Sequence, residues 1–301
     1  MAAFLQILVN GLAQGSVYAL VALGYTMVYG VLQFINFAHS DIFMLGCFMG
    51  LFVTPVIAAM GVTSPWLLFI LVTISAMIGC TLVALLVERI AYRPLRNAPR
   101  LNVLITAIGV SLFLQNFAQA QIGSEPRFFP DIIATQSLLN SEDLIINNIQ
   151  IMVLVISAIL MVVLHLIVHH TKLGTAMRAV SFDIEIANLM GIPTNRVIAF
   201  TFTIGSSLAG AASILYGLSY PKIEPLLGTL IGLKAFVAAV FGGIGNIMGA
   251  TVGGIVLGLA ENIAVYFGGS TYRDAIAFGI LILILLFRPA GLFGTFRREK
   301  V

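Results

Sequence analysis

The chain has 301 residues, 60% of them hydrophobic and 9% charged, with a formal net charge of +3. Soluble domains carry about 25% charged residues, and the exterior of a water-soluble fold this long needs more polar cover than the sequence holds, so an ordinary soluble fold is excluded. No basic stripe interleaved with aromatic residues exists in a polar region, which excludes a nucleic-acid partner.

A bilayer core takes roughly 20 mostly apolar residues per helix. In chain order the candidate spans are about 5–32, 41–60, 66–87, 101–122, 149–169, 196–219, 227–244, 247–267 and 272–288. The first lacks the basic n-region of a signal peptide and runs too long for one, so it is expected to stay on the protein as a spanning helix. The seventh is short and interrupted by glycine, as a half-helix or re-entrant piece would be, which leaves an expected count of eight or nine. Cys47 and Cys80 fall in different spans and read as small buried hydrophobes. The expected fold is an all-α polytopic transmembrane bundle, one membrane domain over residues 1–301, in contact with membrane lipid.

Orientation follows from Lys and Arg. Arg89, Arg93, Arg96 and Arg100 follow the third span; Lys172, Arg178 and Arg196 follow the fifth; Arg288, Arg297, Arg298 and Lys300 lie in the tail. These eleven of the fifteen basic residues place all three segments, and the C-terminus, in the cytoplasm. The loop at 123–148 has Arg127 against Glu125, Asp131, Glu142 and Asp143, and belongs outside.

The cytoplasmic stretch at about 170–195 is longer than a simple helix connection needs. Asp183 is placed to cap a short helix, Ile186, Leu189 and Met190 fall at helical spacing, Gly191 stops the helix and Pro193 opens the next. The spacing predicts a short amphipathic helix at the membrane surface.

Here a family resemblance enters. Glu185, Ala187 and Gly191 resemble, in type and spacing, the EAAxxxG loop of ATP-binding-cassette (ABC) importer permeases, with Ile186 in place of the second alanine. The resemblance extends along the chain. The stretches Gly11–Gly24, Ile35–His39, Met177–Ala179 and Lys234–Gly245 are similar, in the same order, to the high-affinity branched-chain amino-acid permease family, with Ser40 where that family usually has glycine. The resemblance implies a permease subunit of a bacterial inner-membrane ABC importer. Urea or short-amide permeases are close relatives, and an ion-coupled secondary transporter is the more distant alternative. It implies two cytoplasmic ATPase subunits, a second permease subunit (homologous or identical) and a periplasmic binding protein. It also implies that Arg178, Asp183, Glu185, Ala187 and Gly191 belong to the loop that engages the ATPase. No GxxxxGK[ST], GxSxG or HExxH stretch occurs, so ATP and Mg are expected on the partner subunits, no cofactor on this chain, and no enzymatic activity of its own.

Several polar residues fall at membrane depth, where they are costly unless they face protein or a water-filled path. Asn36 and His39, at the break between the first two spans, either line or gate a route or satisfy backbone groups at the helix ends. Lys234 and Glu261, in successive late spans, either pair inside the bundle or meet the cytoplasmic edge and a subunit contact separately. Gly11, Gly15, Gly242, Gly243, Gly245, Gly249 and Gly253 read as helix-packing glycines, several at GxxxG spacing. His165 and His169 are one turn apart but lack the further ligands a closed metal site takes, so no metal is expected.

Overall fold

The computed structural model describes residues 2–96, 98–141, 144–267, 272–288 and 290–294. Glu142, Asp143, Arg297, Arg298 and Lys300, used above for orientation, lie outside them. The chain runs α1 (Ala2–Leu32), α2 (Ala38–Ala59), α3 (Pro65–Val87), a π turn Glu88–Tyr92, a 3₁₀ turn Arg93–Leu95, α4 (Arg100–Ile122), β1 (Arg127–Phe128), β2 (Ser137–Ser141), β3 (Leu144–Asn147), α5 (Asn148–His170), α6 (Lys172–Phe182), α7 (Ile184–Leu189), α8 (Thr194–Ser219), β4 (Lys222–Ile223), α9 (Leu227–Gly242), α10 (Ile247–Tyr266) and α11 (Arg273–Phe287).

Local sequence sets many boundaries. Pro65 opens α3 where its missing N–H has no intrahelical partner to lose. A capping box of Asn147 and Gln150 starts α5. Asn246 starts α10 by accepting from Gly249 N at 3.0 Å.

Among the described residues seven helices are long and apolar enough to cross a membrane by length and composition, α3 being counted with its two following turns. This corrects the expected eight or nine spans. The two helices that drop out, α9 and α11, have 16 and 15 residues. At 1.5 Å per residue they reach only ~24 and ~22 Å, short of a ~30 Å hydrocarbon core.

The core lies around α1 and α8, the two spans most buried within the chain. α1 packs against α10, α8, α9 and α5. Its contact with α10 is close because glycines face each other: a Cβ at Gly15 would lie 2.8 Å from Ile255 Cα, and one at Gly11 would lie 3.0 Å from Leu259 Cα. α9 meets α10 the same way. A Cβ on Gly242 would strike Gly249, and one on Gly253 would strike Ala238 O. Such contacts gain dispersion energy where lipid offers no hydrophobic drive. Gly243 and Gly245 depart from the helix-packing expectation. They form the turn between α9 and α10, with φ of +105° and +92°, a region that a Cβ disfavours. On the periphery Ile74, Ile78, Leu82 and Leu86 make an exposed apolar row along α3, as a lipid-facing helix surface requires.

Two short antiparallel pairs sit at one end of the bundle: β1 with β4, and β2 with β3. The basic segments gather at the other. Arg96 Nη1 donates to Asn195 Oδ1, and the tail is tied to the end of α9 by Leu292 N donating to Phe241 O at 2.9 Å.

Candidate functional site

Three places carry functional groups, beginning with the segment between α5 and α8. It holds two helices where one was expected. α6 is capped by Thr171, whose Oγ1 accepts from Gly174 N at 3.1 Å. Its buried residues Met177 and Val180 seat it on the bundle. Arg178 folds back so that its guanidinium donates to Val168 O, near the end of α5, where a cation suits the helix dipole. Asp183 caps α7, accepting from Glu185 N at 2.8 Å and Ile186 N at 2.9 Å. Gly191, at φ +81°, closes α7. Ile192 N then donates to Ala187 O, and Gly191 N to Asn188 O, each at 3.0 Å. This is the paired-bond ending that a left-handed glycine allows.

The amphipathic face points differently from the expectation. Ala187 is the buried residue of α7. Ile186, Leu189 and Met190 are exposed, Leu189 by 86%. α7 therefore stands on the bundle by its small residue and presents its large apolar ones outward. Glu185 is exposed beside them.

The second place is a buried charge network. Lys234 on α9 lies 3.1 Å from Glu261 on α10 and 2.8 Å from Asp274 on α11. Arg273 Nε approaches the second Glu261 oxygen at 3.6 Å. Gln14 and Tyr18 on α1 donate to that oxygen at 3.0 and 3.1 Å. Gln14 Oε1 accepts from Asn262 at 2.9 Å and from Tyr220 at 3.3 Å. Burial pushes the Tyr220 phenol above its usual pKa, which keeps it a donor. Two cations face two carboxylates, so the cluster is neutral while joining α1, α9, α10 and α11. That balance, with the hydrogen bonds of Gln14 and Tyr18 on one Glu261 oxygen and Lys234 facing the other, offsets the cost of burying the charges.

The third place is the α1–α2 break. Asn36 and His39 are both buried. Tyr92, on the π turn, donates to Asn36 Oδ1 at 2.6 Å. The His39 ring lies against Gly24, which has no side chain to obstruct it, and edge-on to Tyr25. Neither side chain serves an exposed helix end; they fill the junction of α1, α2 and the π turn. Gly228 and Gly232 of α9 lie against Ser40. Nearby, buried Glu88 pairs with Arg96. Burial pulls the Arg96 guanidinium below its usual pKa, and the facing carboxylate opposes that pull.

The family model described as "Branched-chain amino acid transport system / permease component" matches residues 7–285. The chain belongs to that family. It is 42% identical over 301 residues to the high-affinity branched-chain amino acid transport system permease protein BraD of Pseudomonas aeruginosa, covering 99% of this chain and 98% of BraD. It is 40% identical over 301 residues to the corresponding LivH of Escherichia coli K12, with the same coverage. A probable branched-chain amino acid transport permease of Methanocaldococcus jannaschii is 27% identical over 305 residues, covering 96% of this chain and 92% of that one. The chain is a multi-pass membrane protein of the permease type.

In this permease the structure brings together Lys234 and Glu261, the two late-span charges, and keeps Asn36 and His39 apart from them at the α1–α2 break. Gln14, Tyr18, Tyr220, Arg273 and Asp274 complete the charge network, and sequence reading missed them. Neutral polar residues spaced one turn apart in an apolar run, as Gln14 and Tyr18 are, were the available signal. Asp41 was missed as well. It is fully buried on α2, accepting from Ser111 Oγ and, at 2.9 Å, from Gln115 Nε2. His165 and His169 stack with ring centroids 4.2 Å apart. Among the described residues no group of three or more metal-ligating side chains occurs.

Proposed function

We propose that this chain is the membrane-spanning subunit of an ATP-driven importer that carries branched-chain or similarly hydrophobic amino acids across the bacterial inner membrane, with its basic segments and C-terminus in the cytoplasm. A second permease subunit completes the pore, two cytoplasmic ATPases supply the energy, with ATP and Mg bound on them, and a periplasmic receptor delivers the amino acid. The named relatives are branched-chain amino acid permeases, so the short-amide alternative is not carried forward.

The observation that carries the reading is α7. A six-residue helix, rigidly capped at both ends, presents Ile186, Leu189 and Met190 outward at the basic end of the bundle. Exposed apolar surface of this kind marks a contact with another protein or with the membrane surface, and an ATPase subunit is the contact proposed for it. Behind it, α6 packs against α5, α8 and α1, so force on α7 reaches the spans that form the core. An amino acid with an apolar side chain needs a weakly polar path, which agrees with the neutral internal charge balance.

Copurification tests this. The chain with wild-type α7 is expected to retain its ATPase through purification. Gly191→Arg, which forces a side chain into a left-handed backbone, and Glu185→Lys are expected to lose it. Equal recovery of the ATPase with all three chains would contradict the reading.

A further inference from the structure

Three carboxylates are buried among the described residues: Asp41, Glu88 and Glu261. Glu88 has Arg96, and Glu261 has Lys234 and Arg273. Asp41 has no cation within ion-pair distance among the described residues. It accepts two hydrogen bonds, both from neutral groups on α4. It lies in the first turn of α2, where the helix dipole favours negative charge. A carboxylate at membrane depth with no counter-ion is costly to keep and points to function.

Its surroundings lead to a ligand. Ser111 and Gln115 are half-buried, so they separate Asp41 from the outer surface of α4 by one side chain. α4 is about as polar as α1 and α8, yet it is the least buried of the seven spans within this chain. Asn116, the next residue after Gln115, is exposed and folds its amide back onto Leu112 O at 2.7 Å. The outward face of α4 is otherwise apolar, with Leu101, Ile105, Ile108, Leu112, Phe113 and Phe117 exposed, so Ser111, Gln115 and Asn116 form a polar break at mid-helix in an apolar wall.

We propose that Asp41, reached past Ser111 and Gln115, is a subsite for the primary ammonium group of the amino acid in transit. The inference rests on the reading that amino acids are the cargo. Ser111 and Gln115 hold the carboxylate when the route is empty. A passing ammonium, with three donors, supplies the missing cation and recovers part of the hydration it leaves behind. The branched side chain needs no polar partner on this path.

The experiment measures uptake of radiolabelled leucine, per inserted chain, in cells expressing the chain together with its transport partners. Asp41→Asn keeps the shape and an acceptor for Gln115, and is expected to lower uptake about tenfold or more. Ser111→Ala removes one arm of the α2–α4 contact and leaves the charge; uptake is expected to stay within about fivefold of wild type, the scale of one neutral hydrogen bond. A role confined to tying α2 to α4 predicts the opposite order, and that order would overturn the proposal. So would wild-type uptake by Asp41→Asn. Wild-type uptake that is lost when choline replaces Na⁺ would assign the site to an inorganic cation and overturn it too. If Asp41→Asn fails to insert, Asp41→Glu decides: uptake above about a tenth of wild type supports the subsite, and none refutes it. A wild-type chain that takes up no leucine would instead defeat the functional reading itself.

Discussion

Lys234 touches two carboxylates of unequal worth. Glu261 is fully buried, whereas the Asp274 side chain is 54% exposed. Removing one partner of a buried ion pair costs about 3–5 kcal/mol. Glu261→Gln should fall near the lower end of that range, since Asp274 still faces Lys234 and the new amide can still accept from Gln14. Asp274→Asn should cost under about 1 kcal/mol, the value of an exposed pair. Thermal unfolding of the purified chain in detergent orders the two, and an equal effect would show that burial does not set the energetics there. The sequence made Lys234 and Glu261 conspicuous, because a charge inside an apolar run has few explanations. It hid Asp41, because His39, Ser40 and Asp41 read together as a polar break between spans. Only the fold reveals that α2 has already begun at Ala38 and that α4 covers the carboxylate.

Among the helices, α7 and the glycine contacts make separable predictions. Asp183→Ala removes both cap bonds and should destabilise α7 by about 1 kcal/mol, seen as faster amide hydrogen exchange over residues 184–189 with the spans unchanged. Leu189→Glu should leave folding untouched, since that side chain meets no core, and should weaken recovery of the ATPase. A Leu at Gly253 would collide with α9 at Ala238 and should prevent stable assembly. A Leu at Gly109, where a Cβ meets nothing within 4 Å, should be tolerated. Equal yields of intact protein from both glycine variants would contradict close α9–α10 packing. The cap and the terminating glycine made α7 legible in advance. The direction of its apolar face was not, because spacing locates a face without saying what it meets. α6 went unread although Lys172, Thr175 and Arg178 fall three apart, the spacing of one helix face, with Met177 and Val180 on the buried side.

At the scale of the molecule, composition alone dictated a helical membrane bundle, and the described parts of the basic segments share one end. The span count fell from eight or nine to seven because hydropathy marks an apolar stretch without showing that it is long enough: α9 and α11 lie within a residue or two of the expected bounds but hold 16 and 15 residues, too few to cross a ~30 Å core. The central claim of the proposed function is mechanical: the apolar bundle moves solute only when a partner drives α7. The direct test reconstitutes the purified chain in liposomes, alone and with its receptor, ATPase and companion permease, and follows leucine accumulation against a gradient. The account predicts accumulation only in the complete system and only with ATP. Uphill accumulation by this chain alone, driven by any ion gradient, would contradict it.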